Sequence, residues 1–296
     1  MTTVLGIGNA TLDIIHFVDR YPDENDEVRC NRRIQRCGGN ATNTLIVLSQ
    51  LGVDSRWAGV LAENAEGRLV ADMLVLHGVD VSAGVWSVAG SMPVSSIVIS
   101  GQTGSRTITH FRDLLEYSFA AFGAIDLSPF DWLHFEGRNV IEVRQMLKHL
   151  RMVSPGTRCS LEIEKPRDEI ETLFPLADVL LFSRNYARSQ GFTEPLELLR
   201  SVHARCPDAD LFCAWGEAGA AALGRDGKEY RHSAVVPESL VDTLGAGDTF
   251  NAGVISGYVE ALEIEDILAR ACRLAGNKCG QYGFDGLTLR EISDAD

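Results

Sequence analysis

The chain has 296 residues, 45% of them hydrophobic and 23% charged, which suits one large α/β domain or a core with a small accessory lid. Its 27 basic and 41 acidic residues give a net charge of −14 with no Lys/Arg cluster to offset it, so nucleic acid and acidic membranes are excluded as partners. No apolar run approaches the length of about eighteen residues that a membrane span needs. Met1-Thr2-Thr3-Val4-Leu5 carries no basic leader, so a cytoplasmic protein is expected, with its scattered, odd-numbered cysteines as reduced thiols.

In chain order, Val4 to Gly8 reads as a buried strand running into a glycine turn. It begins like a dinucleotide fingerprint, but position 11 is Thr and the β-branched run Leu12 to Val18 follows where a helix is required. The better reading places Asp13 at a strand end. After a polar, basic stretch from Arg29 to Arg36, Cys37-Gly38-Gly39-Asn40 leads into a helix from Ala41 to Leu51 that stops at Gly52. A strand over 55–61 and a helix from Ala65 to Leu76 continue a βαβ rhythm. Residues 92–100 and 105–111 then alternate around the turn Gly101-Gln102-Thr103-Gly104, which predicts a β-hairpin. From residue 130 the rhythm resumes, with strands at 132–135, 158–163, 179–183 and 211–214. Helices are predicted near 140–152, 166–174, 194–204, 246–261 and 265–280. Such alternation predicts an open, mostly parallel sheet with helices on both faces. The segments 1–11, 37–90 and 113–296 are expected to form this core, and 12–36 with 91–112 a small antiparallel β-sheet lid. The acidic end, Leu289 to Asp296, is expected to fray.

Chemistry concentrates in Asp242-Thr243-Leu244-Gly245-Ala246-Gly247-Asp248. Small residues opening a helix let backbone amides face a phosphate, and the helix dipole adds positive potential. A carboxylate at the same place can accept a proton, so the run holds the minimum for phosphoryl transfer to an alcohol. The competing reading is that Asp248 caps the helix. Asn40 and Asn43 are equally compatible with sugar-hydroxyl ligation and with cap or turn roles.

These two motifs, in this order and spacing, resemble the signatures of the ribokinase-like (PfkB) carbohydrate kinases over essentially the whole chain. Several further segments are similar to the ketohexokinase branch: Asp19 to Pro22, Gly104 to Ile108, His134 to Asn139, Glu162 to Arg167, Cys213 to Trp215 and Gly283 to Gly286. The resemblance implies ATP and Mg²⁺ as cofactors, a sugar substrate and a homodimer joined through the lid. It implies Asp248 as catalytic base, Gly245, Ala246 and Gly247 as anion hole, and Arg106 reaching over substrate and phosphates. Asp13, Asn40 and Asn43 then match the sugar ligands, with Gly39 allowing close backbone approach. Glu136, at a strand end, is a candidate for substrate binding, for orienting Arg106 or for holding Mg²⁺ through water. Lys165, Asn185, Trp215, Gly216, Gly219, Ala275, Gly276 and Cys279 match nucleotide-side positions, with Cys279 expected to pack rather than react. One departure stands out: Asn185-Tyr186-Ala187-Arg188 has Arg where many of these kinases carry Glu. A ketohexose kinase acting at the C1 hydroxyl, fructose first among substrates, is the resulting expectation. A kinase of another sugar or nucleoside, or a non-catalytic sugar-binding protein, is the alternative.

Overall fold

The computed structural model describes residues 2–287, so the tail from Leu289 to Asp296 lies outside the described residues. Among these residues no helix is long and apolar enough to cross a membrane. The main sheet has nine strands. From one edge its strands are Glu229–His232, Ala220–Leu223, Asp210–Ala214, Val179–Ser183, Arg158–Ile163, Trp132–Glu136, Thr3–Ile7, Asp54–Ala58 and Val79–Asp80. The seven from Asp210–Ala214 to Val79–Asp80 run parallel. Ala220–Leu223 is antiparallel to its neighbours on both sides.

Alternation along each strand sorts the apolar side chains into two cores. Leu5, Leu133, Leu180 and Leu211 pack with the helices Val140–Val153 and Pro195–His203. The neighbouring residues Val4, Trp132, Leu181 and Phe212 face the opposite way. There they meet the helices Asn40–Gln50, Ala65–Leu76, Ala246–Val259 and Ile264–Cys279. A sheet buried on both faces is what near-continuous apolar strands such as Val179-Leu180-Leu181-Phe182 require.

The predicted hairpin is present: Val94–Ser100 pairs antiparallel with Arg106–Phe111. It belongs to a separate four-stranded sheet ordered Arg32–Gly38, Thr11–Val18, Val94–Ser100, Arg106–Phe111. That sheet is mixed, because Thr11–Val18 and Val94–Ser100 run parallel. Every residue of Arg106–Phe111 is exposed.

Several elements differ from expectation, among them the unpredicted short helices Phe119–Phe122 and Arg184–Ser189. The strand over 55–61 is broken at Gly59, and Val60–Ala62 leaves the main sheet to pair with Val85–Ser87. The helix near 166–174 is a 3₁₀ segment, Ile170–Leu176, entered through Glu169 at φ 60° and containing Pro175, which cannot continue an α-helix. The hairpin Ala220–Leu223 with Glu229–His232 has no counterpart among the predicted strands. Alanines favour helix on their own, and burial against Asp210–Ala214 overrides that preference.

Candidate active site

Parallel strands end in carboxylates at one edge of the sheet, where open α/β sheets bind ligands. Glu136 closes its strand and Glu162 stands one residue before the end of the next, both buried. Opposite them begins the helix Ala246–Val259. Its N-cap is Gly245, at φ 83° and ψ 5°, with no side-chain cap. Asp248 lies in the first helical turn, and its carboxylate caps no amide there but accepts a 2.7 Å hydrogen bond from Asn43 Nδ2. The cap reading of Asp248 therefore fails. A Cβ added to Gly247 would meet nothing within 4 Å, so the space beside this residue is open, whereas the Ala246 amide donates to the Thr243 carbonyl at 3.3 Å.

Asp248 is 8% exposed. Burial pushes its pKa up to about 8; the Asn43 hydrogen bond opposes that rise, and Glu164, Glu136 and Asp13 add to it. Glu162 is raised well above the usual carboxylate value, first by burial and then by Asp248, Glu136 and Glu164. The five acidic groups Asp13, Glu136, Glu162, Glu164 and Asp248 thus form one electrostatic cluster.

Amide side chains tie the cluster together. Asn40 Nδ2 donates to Glu162 Oε1 at 3.1 Å and to Glu164 Oε2 at 3.3 Å. Asn251 Nδ2 donates to the same Glu162 oxygen at 3.1 Å. Glu162 Oε2 and Asn43 Oδ1 are buried without a hydrogen-bond partner. Two buried acceptors left open beside a helix end are a configuration that a hydroxylated ligand or a hydrated cation would satisfy.

Asp13, in the smaller sheet, is buried and accepts from Thr11 Oγ1 at 3.0 Å. Arg106 reaches from the edge strand of that sheet to Thr243 Oγ1 at 2.9 Å. It does not pair with Glu136, whose Oε2 accepts from the Asn9 amide at 2.7 Å and whose Oε1 lies 3.9 Å from Arg138. The role of Glu136 as an orienter of Arg106 is replaced by one in which it fixes the turn after the first strand. Gly39, at φ 112°, is also explained within the protein: a Cβ there would lie 2.0 Å from the Asn9 carbonyl oxygen. Gly39→Ala is accordingly expected to lower stability by about 2 kcal/mol or more without any ligand present, checked by denaturant unfolding of the free protein.

The residues expected on the nucleotide side have the following surroundings. Lys165 lines a small cavity with Asn40, Glu136, Glu162, Glu164 and Arg167, and its Nζ pairs with Glu164 at 3.1 Å. Asn185 is exposed on the short helix Arg184–Ser189. Arg188 lies over the Trp215 ring, 5.9 Å from its centroid, so the residue standing in place of Glu supports an aromatic wall. Gly216 and Gly219 form the turn between two sheet strands, with the Trp215 amide donating to the Gly219 carbonyl at 2.7 Å. A Cβ on Gly276 would meet the Val235 carbonyl oxygen at 2.2 Å, so its small size admits a neighbouring chain segment. Ala275 is partly buried beside it. Burial pushes the Cys279 thiol up, consistent with packing.

Sequence reasoning missed Glu162, Glu164 and Asn251 as individual site residues. The signal was available in part. Glu162 and Glu164 are two residues apart at a strand end, but only the fold shows Asn40 and Asn251 converging on them.

Among the described residues no three His, Cys, Asp or Glu side chains close around a common point that could hold a metal. The donor set is nonetheless suited to Mg²⁺, which takes one or two carboxylates and completes its shell with water and phosphate oxygens. The open Glu162 Oε2 is such a donor.

Comparison with known proteins agrees with this geometry. Residues 1–288 match the model of the pfkB family carbohydrate kinases. The chain is 41% identical to ketohexokinase of Mus musculus, covering 96% of this chain and 98% of that protein. It is 26% identical to fructokinase of Klebsiella pneumoniae over 89% of each. The structure of Arabidopsis thaliana ribokinase complexed with ribose and ATP superimposes with a TM-score of 0.77 at 20% identity, covering 96% of this chain and 94% of that one, and so shares the fold. The chain belongs to the pfkB family and is an ATP-dependent carbohydrate kinase.

Proposed function

We propose that this kinase phosphorylates a ketohexose, fructose first, at its C1 hydroxyl. The observation that carries the mechanism is the Asp248 carboxylate, buried, held by Asn43 and set in the first turn of a helix whose glycine-rich entry is open. Asp248 takes the proton of the sugar hydroxyl as that oxygen bonds to the γ-phosphorus and the bond to ADP breaks. An alcohol is a weak acid, so proton transfer comes late, and positioning with charge stabilisation supplies most of the acceleration. The amides of Gly245, Ala246 and Gly247 receive the phosphoryl charge.

Asp13, Asn40 and Asn43 hold the sugar. The NH₂ groups of both asparagines donate to carboxylates, which leaves their carbonyl oxygens to accept from sugar hydroxyls. Lys165 and Arg106 approach the phosphates, and the wall around Trp215, Gly216, Gly219, Ala275 and Gly276 receives the nucleoside. Mg²⁺, held through water by Glu162, Glu164 and Glu136, would neutralise phosphate charge. Residues 12–36 and 91–112 act as a lid that excludes water, and their exposed edge joins two copies into a homodimer of a cytoplasmic enzyme. The similarity to ketohexokinase favours fructose over other acceptors.

ADP release with fructose, ribose, glucose and a nucleoside as acceptors tests this reading. Turnover highest on fructose is expected, and turnover confined to the nucleoside would reassign the substrate. The pH profile tests the base. With the Asp248 pKa raised to about 8, kcat/KM should climb with pH below that value and level off above it, because the ionised form is the active one. Asn43→Ala removes the hydrogen bond that opposes this rise, so its inflection should move to higher pH.

A further inference from the structure

Lys278, near the end of the helix Ile264–Cys279, is fully buried. Its ammonium donates to the Asp242 main-chain oxygen at 2.8 Å, to Asp242 Oδ2 at 3.2 Å and to the Gln281 main-chain oxygen at 3.3 Å. All three of its protons are thereby used. Asp242 is the residue from which the anion-binding loop departs. Its Oδ1 accepts from the Leu244 amide at 2.9 Å, and its Oδ2 also takes Arg36 Nη1 at 3.3 Å. Burial works against ionisation of Asp242, yet the Leu244 amide, Lys278 and Arg36 outweigh it and hold the carboxyl below its usual range.

Two further contacts carry this arrangement to the amides. The Lys278 ammonium lies 5.7 Å from the centroid of the Phe284 ring. The same ring fills the space where a Cβ on Gly245 would stand, 2.4 Å away. Both outer strands of the smaller sheet also arrive here, through Arg36 on Asp242 and Arg106 on Thr243.

A buried ion pair adds little stability over apolar residues of similar volume. Its effect here is geometric and electrostatic. An unpaired Asp242 carboxylate would repel a phosphoryl group arriving at the nearby amides, and Lys278 and Arg36 cancel that charge. We propose that Lys278 is a positioning residue for phosphoryl transfer: a built-in cation that fixes the 242–247 loop so that the Gly245 and Gly247 amides stay free for the phosphoryl group. It also locks that loop to the smaller sheet. This inference builds on the reading of Gly245 to Gly247 as the anion hole.

The test is Lys278→Ala, which leaves the three oxygens and room for a small ammonium ion, assayed by ADP release with fructose and MgATP. A fall in kcat of about tenfold or more is expected, with the KM for sugar changed less than about threefold. Methylammonium should restore activity, whereas tetramethylammonium at the same ionic strength, lacking an N–H, should not. A folded variant with kcat within about twofold of the parent, or a loss that methylammonium does not repair, overturns the proposal. Lys278→Gln, which keeps two N–H donors, serves if Lys278→Ala does not fold; it should lose less activity than the Ala variant is expected to lose. Failure of both to fold with ATP and sugar present would make Lys278 a residue of stability alone and overturn the proposal. Absence of ADP release from the unaltered protein on every acceptor would instead remove the kinase reading itself.

Discussion

Asp248→Asn is expected to lower kcat by at least ~10²-fold while leaving the KM for ATP little changed, since it removes a general base and keeps the volume and the Asn43 contact. The same substitution should stabilise the protein at alkaline pH. The folded pKa of Asp248 is raised to about 8 from its ordinary value of 3.8, so the group's contribution to stability is fully present below the unfolded value and is lost as pH rises through the folded one. Asn does not titrate. The variant should melt with the parent near pH 4 and above it at pH 8–9, each kcal/mol corresponding to roughly 2–4 °C in Tm. Thermal melts across that range, beside ADP-release assays, check both halves. Loss of turnover accompanied by a lower Tm at pH 8 would mean that Asp248 holds the fold together instead of working against it.

Gly245→Ala is expected to cost about 2–4 kcal/mol of stability and to reduce turnover about tenfold or more. Two penalties combine. The residue sits at φ 83°, where a side chain is strained, and the new Cβ would fall 2.4 Å from the Phe284 ring. Either the ring or the loop must shift, and a shift of the loop moves the amides. The penalties separate in a double-variant cycle. Phe284→Leu combined with Gly245→Ala should recover the steric part of the stability and leave the backbone strain. Denaturant unfolding of the four proteins measures this. Strict additivity would show that the ring does not press on Gly245.

Much of this could be read from the residues. Strands such as Arg158–Ile163 and Val179–Ser183 are recognisable because they are buried on both faces and bounded by polar residues. The hairpin Val94–Ser100 with Arg106–Phe111 announces itself through alternation and a Gly-rich turn. The small residues before Asp248 mark a helix N-terminus open to an anion, because that chemistry is local in sequence. What stayed hidden depends on pairs far apart in the chain. Glu162 meets Asn40 and Asn251 across 122 and 89 residues, and Arg36 meets Asp242 across 206. Gly39 and Gly276 look like sites of ligand approach, yet their missing Cβ makes room for the Asn9 and Val235 carbonyls. A glycine signals a close neighbour, and only the fold says whether that neighbour is protein or ligand. Lys278 was invisible for a related reason: a lysine in an amphipathic helix reads as solvated unless its partners are known.

The most direct test of the account is the NMR spectrum of the product formed from fructose and MgATP. With the unaltered protein, phosphorus coupled to the C1 protons is expected, and Asp248→Asn should yield no detectable product over the same interval. Phosphate on any other carbon would contradict the proposed placement of the sugar, and a product formed equally fast by the Asn variant would contradict Asp248 as the base.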